Sequence, residues 1–104
     1  MNFEWDESKY RTNIRKHGID FADAVKIFAG PIVTDIDGRF DYGEVRKVTT
    51  GAIDRVVIMT VIHTDRYGRT RIISARLASA KERKRYEAAI RPSLDDRGTG
   101  PDQG

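Results

Sequence analysis

The sequence predicts an α+β domain in which two helices near the N-terminus and one near the C-terminus pack on a small antiparallel sheet. Three observations lead there. Apolar residues recur at helical spacing before residue 30, and β-branched stretches separated by Gly- and Asp-containing turns fill residues 32 to 77. A capping-box pattern then opens a cationic helix at Ser79. The 104 residues suit a single core, expected to span residues 1–91 as one domain.

Asn2 to Trp5 has the alternation of a short strand, with Phe3 and Trp5 on one face. Asp6 is placed to cap a first helix, Tyr10, Ile14 and His17 form a narrow stripe along it, and Gly18 is placed to end it. Asp20 caps a second helix with Phe21, Ala24, Val25 and Phe28 on its buried face, and Gly30-Pro31 stops it. Strands are expected from Ile32 to Ile36 and from Val45 to Thr50, the latter ending at Gly51. A turn-rich stretch through Asp37-Gly38-Arg39 and Tyr42-Gly43 joins them. Arg55 to His63 is apolar enough to be a central strand. Arg66 to Arg69 forms a turn to a last strand from Thr70 to Ala75, giving a meander. In the third helix Ser79 and Glu82 complete the capping box, while Tyr86, Ala89 and Ile90 supply a docking face. Residues 92–104 hold one large apolar residue, Leu94, and are expected to be a disordered tail.

Composition excludes several classes. The chain has no Cys, hence no disulfide of its own and no thiolate ligand. No apolar run reaches the roughly 18 residues of a membrane span. The N-terminus lacks the basic-then-apolar order of a signal peptide, so a cytoplasmic location is expected. Net charge is only +3, but residues 63–91 carry nine Lys or Arg against three acidic residues. Residues 1–62 carry nine against ten. Such asymmetry draws a polyanion or an acidic protein toward one end of the molecule.

The candidate chemistry follows from residue type. Guanidinium groups bind phosphate oxygens bidentately and stay charged, which suits Arg71 and Arg76 to phosphate. In a regular strand the two point to opposite faces, and a bulge would change that. Glu44 and Arg46 share a strand face, either as an ion pair or as a proton-transfer and phosphate-binding pair. His17 and His63 are candidate proton shuttles or packed histidines, and neither has a second histidine at metal spacing. Trp5 can stack a base or belong to the core, Tyr42, Tyr67 and Tyr86 are further stacking candidates, and the charges of the third helix form a solvated face. No phosphate-binding loop, dinucleotide fingerprint or Ser-His-Asp spacing is present.

Taken together, FEWDESK, Asn13, the KHGIDFADA block, Phe28, Glu44-Val45-Arg46, Gly51 and RIISARLASAKER resemble the BrnT family of type II toxins, from about Phe3 to Tyr86. The resemblance implies a RelE-like fold and metal-independent RNA cleavage, needing no cofactor, with the neighbouring 2′-hydroxyl as nucleophile. It further implies growth inhibition and neutralisation by a cognate BrnA-like antitoxin. Higher hetero-oligomers are implied too, with DNA contact made through the antitoxin.

Such a reaction needs a base, an acid and cations for the phosphorane. His17 or Glu44 are the proton-transfer candidates, and Arg46 and Arg76 the phosphate ligands. Lys9, Lys16, Arg71, Lys81 and Arg83 are candidate RNA-binding cations. The rival readings are a basic binding module without catalysis, and a degenerate toxin that only binds its antitoxin.

Overall fold

Asp6 and Gly18 bound the first helix as their chemistry dictates. In the computed structural model, which describes residues 1–37 and 44–98 with side chains to Ile90, strand β1 (Phe3–Trp5) leads into helix α1 (Glu7–His17). The Asp6 carboxylate accepts from the Lys9 amide at 3.1 Å, and Gly18, at φ 68°, returns its N–H to the Ile14 carbonyl at 2.8 Å. The stripe through Ile14 and His17 is not the buried one. Ile14 is 40% exposed, and the buried residue of α1 is Asn13. Its amide donates to the carbonyls of Ile19 (3.0 Å) and Ala75 (2.9 Å), and its carbonyl accepts from the Ala75 N–H (3.0 Å). Periodicity of apolar residues cannot find an amide that replaces a missing strand neighbour.

Helix α2 (Phe21–Ala24) is capped by Asp20 and tightens into a 3₁₀ helix over Val25–Ala29. The buried positions become Phe21, Ala24 and Ile27, three apart as a 3₁₀ turn requires, and Val25 and Phe28 are left half-buried.

Strands β2 (Ile32–Asp37), β3 (Arg46–Ile53), β4 (Val57–Arg66) and β5 (Arg69–Leu77) form the expected antiparallel meander, with β4 at its centre. β1 joins the β5 edge and pairs parallel to it, Phe3 opposite Thr70 and Trp5 opposite Ile72. Gly51 does not end β3 but lies within it. A Cβ there would stand 2.9 Å from Ile27 Cβ and 3.0 Å from Ile32 Cγ2, so the glycine lets the 3₁₀ helix approach the sheet. The β4–β5 turn places Tyr67 at φ 51° and Gly68 at φ 79°, the two left-handed positions of a type I′ hairpin. The expected turn through Gly38 and Arg39, and Tyr42-Gly43, lie outside the described residues.

One sheet face carries Met59, Val61, Ile72 and Ala75, which meet Ile19, Phe21, Ala24 and Ile27 in the core. Full burial of a side chain such as Phe21, Ile27 or Val61 contributes about 1.5–3 kcal/mol. Trp5 belongs with this layer, stacked on Tyr10 at 6.1 Å and edge-on to Phe21 at 5.7 Å.

Helix α3 (Ala80–Gly98) packs on the other face. Its capping box forms, Ser79 Oγ accepting from the Glu82 N–H at 3.1 Å and Glu82 accepting from the Ser79 N–H at 2.9 Å. Tyr86 is buried and donates to the Pro31 carbonyl at 2.9 Å, Ile90 is half-buried, and Ala89 is exposed rather than docked. The helix continues through Pro92 to Gly98, where an irregular tail was expected from residue 92. Residues 99–104 lie outside the described residues. Among the described residues no helix is long and apolar enough to cross a membrane.

Candidate functional site

The register of β5 against β4 decides which arginines share a face. Ser74 lies opposite Ile62 and Ile72 opposite His63, so Ile73 is an extra residue without a β4 partner. This bulge moves Arg71 opposite Thr64 and Arg76 opposite Thr60, four residues apart on β4 and therefore on the same side of the sheet. The bulge condition on these two arginines is met. Arg46 also lies opposite Thr64, from β3. Three cross-strand rows result on the face opposite the core: Arg46, Thr64 and Arg71; Val48, Ile62 and Ser74; Thr50, Thr60 and Arg76.

Helix α3 covers the end of this face at the third row, where Glu82 accepts from Thr60 Oγ1 at 3.0 Å. Arg46, Val48, Ile62, Arg71 and Ser74 are half-buried. Each arginine of the face carries a carboxylate. Arg46 Nε stands 3.6 Å from Glu44, Arg71 Nη1 3.0 Å from Glu4, and Arg76 makes a two-point fork to Glu82 at 2.6 and 2.9 Å. The Arg76 guanidinium, with the Ser79 amide and the Thr60 hydroxyl, holds the Glu82 carboxyl at about 2, well below the usual range. These carboxylates fix the guanidinium planes and temper the pull of the face on a polyanion.

Four of the sequence candidates, Glu44, Arg46, Arg71 and Arg76, thus stand together. Lys81 and Arg83 are exposed on the first turns of α3, in the same layer. Lys9, Lys16 and His17 are exposed on α1, four residues before and three and four after Asn13, and so flank the helix face that meets Ala75 at the β5 edge. Arg85, read as part of a solvated helix face, pairs with Asp35 of β2, Nη2 donating at 2.7 Å. Tyr67 is 99% exposed at the hairpin tip, and Tyr42 lies outside the described residues. Two participants escaped the sequence: Glu4, which reads as an ordinary strand residue, and the second role of Glu82, whose capping position was legible but whose fork to Arg76 was not.

His63 is the packed histidine. It points to the core side, its Nε2 lies 2.7 Å from Thr49 Oγ1, and its ring meets Phe28 edge-on at 5.2 Å. Among the described residues its buried Nδ1 has no hydrogen-bond partner. Burial lowers its pKa below the ordinary 6.5, Asp65 opposing and Lys47 reinforcing the shift. Below about pH 6.5 the unfolded chain therefore binds more protons at this residue than the folded one, and stability falls with pH toward the folded-state value. The Tm is expected to drop between about pH 7 and pH 5, and His63→Gln to flatten that drop. Carboxylates such as Glu82 act in a separate window, losing their stabilisation as pH falls from 4.5 toward about 2.

The α+β scaffold thus presents, on a bulged strand, a face of arginines each braced by a carboxylate. A family model described as the ribonuclease toxin BrnT of type II toxin-antitoxin systems matches residues 5–82, and the chain belongs to that family. Among solved structures, the Brucella abortus ribonuclease toxin BrnT at 1.1 Å resolution is 30% identical. The match has a TM-score of 0.57 and covers 76% of this chain and 97% of that one. No curated protein matches.

Proposed function

We propose that this ribonuclease toxin cleaves RNA without a metal ion, on the face that carries Glu44, Arg46, Arg71 and Arg76. The observation that carries the reading is the bulge at Ile73, which puts Arg71 and Arg76 on one side of the sheet with Arg46. In this mechanism the Glu44 carboxylate takes the proton of the 2′-hydroxyl, and the 2′-oxygen attacks the adjacent phosphorus. The bond to the 5′-oxygen breaks, that oxygen takes a proton from water, and a 2′,3′-cyclic phosphate remains. The guanidinium groups meet the extra negative charge of the phosphorane, a task assigned to a cation or metal in any such site.

Cleavage in the cytoplasm would stop translation and growth. A cognate BrnA-like antitoxin would neutralise the toxin by covering the same face in a hetero-oligomer, and would supply the DNA contact. The domain would end near residue 91, with Lys81 and Arg83 guiding RNA from α3.

Purified antitoxin-free protein incubated with RNA in excess chelator is expected to release fragments with 2′,3′-cyclic phosphate ends at an unchanged rate. Binding without turnover would favour the non-catalytic module, and turnover abolished by chelator would contradict the metal-free mechanism.

A further inference from the structure

Glu82 does more than a helix cap requires. A capping box needs one acceptor at this position, which Gln supplies as well as Glu. Here Oε1 accepts from the Ser79 N–H (2.9 Å), from Thr60 Oγ1 (3.0 Å) and from Arg76 Nη1 (2.6 Å), while Oε2 accepts from Arg76 Nη2 (2.9 Å). The carboxylate thereby joins the start of α3 to β4 and β5. Thr60 lies directly opposite Arg76 in the sheet, so both arms of the network are anchored to one cross-strand pair.

We propose that Glu82 is a positioning residue for RNA cleavage: its two-point fork holds the Arg76 guanidinium in the plane and place in which it meets the phosphorane. The inference rests on the reading of the arginine face as the RNA site. A guanidinium fixed before substrate arrives needs no reorganisation as charge develops, which raises turnover. The same carboxylate places a negative charge beside the phosphate site, which weakens ground-state binding. Glu82 therefore acts in opposite directions on kcat and on affinity, which a purely structural cap does not do.

The test is steady-state cleavage of an end-labelled single-stranded oligoribonucleotide by the full chain. Glu82→Gln keeps an acceptor for the capping box but loses the charge and half of the fork. It is expected to lower Tm, as loss of the ionised carboxylate must, and below the melting range to lower kcat about tenfold or more with KM unchanged or reduced. A kcat within about twofold of wild type overturns the proposal. Ser79→Ala, which removes the other half of the capping box, is expected to lower Tm while keeping kcat below the melting range. An equal loss of kcat in Ser79→Ala would show a structural role only and overturn the proposal. If Glu82→Gln melts below the assay temperature, Thr60→Val serves instead: partial loss of kcat supports the proposal, and no loss overturns it. Added to Arg76→Ala, Glu82→Gln is expected to cost nothing further, and additive losses would overturn the coupling. Arg76→Ala with wild-type turnover would bring down the reading of Arg76 as part of the RNA site, and this inference with it. An inactive Arg76→Ala beside a fully active Glu82→Gln would bring down this inference alone.

Discussion

Arg46→Ala is expected to slow RNA cleavage by about 10²- to 10³-fold, the usual loss when one preorganised donor to a developing oxyanion is removed. Arg46 sits in the row with Thr64 and Arg71, and its side chain is 20% exposed beside Glu44. Arg46 is a paired, largely buried side chain, so its removal also costs stability. Rate measured below the melting range of the variant, with Tm measured on the same sample, separates the two effects: cleavage falls while the chain stays folded. Lys9→Ala, Lys16→Ala and His17→Ala, on α1 at the β5 edge, are expected to lower turnover less than Arg46→Ala does. A loss in the α1 variants equal to that in Arg46→Ala would move the centre of the site to that edge.

Asn13→Leu is expected to destabilise the fold by about 3 kcal/mol, the largest effect foreseen for a residue without catalytic chemistry. The β1 partner of β5 ends at Ile72, so beyond it the outer edge of β5 has no strand neighbour. The Asn13 side chain takes that place, bonding both the N–H and the C=O of Ala75. Leucine leaves those two groups and the Ile19 carbonyl buried without a partner, and an unsatisfied buried group costs about 1–3 kcal/mol. Urea unfolding should show a lower midpoint with an unchanged slope. Ile14→Ala, one residue along and 40% exposed, should move the midpoint far less. Because Ala75 precedes Arg76, loosening this edge would also disturb the arginine face. Asn13 therefore links stability to the proposed site.

The parts of the fold that rest on local chemistry were legible in the sequence. Asp6 and Gly18 at the ends of α1, the Ser79–Glu82 capping box and the Tyr67-Gly68 turn each need only a few neighbouring residues. The meander followed from alternating β-branched stretches and short turns. What stayed hidden depends on contacts distant in sequence. Gly51 reads as a strand end until Ile27 is seen pressed against it. Asn13 reads as a polar helix residue until Ala75 lies beside it, 62 positions away. The parallel seat of β1 on β5 has no local signal at all. For the proposed site, the candidate residues could be named by type, but that Arg71 and Arg76 share a face depends on one extra residue in β5. A bulge changes the parity of a strand without changing its composition. Lys9, Lys16 and His17 match the chemistry required, but that they flank Asn13 on the face of α1 that meets the β5 edge shows only in the folded chain.

The bulged β5 and its neighbours are the proposed RNA-binding face. Amide and side-chain NMR shifts on titration with a 2′-O-methyl oligoribonucleotide, which lacks the attacking hydroxyl and cannot be cleaved, test it most directly. Shifts are expected to cluster on Arg46, Val48, Ile62, Arg71, Ser74 and Arg76 and to weaken with salt as phosphate contacts do. Shifts centred on Lys9, Lys16 and His17, with the arginine face unmoved, would contradict it.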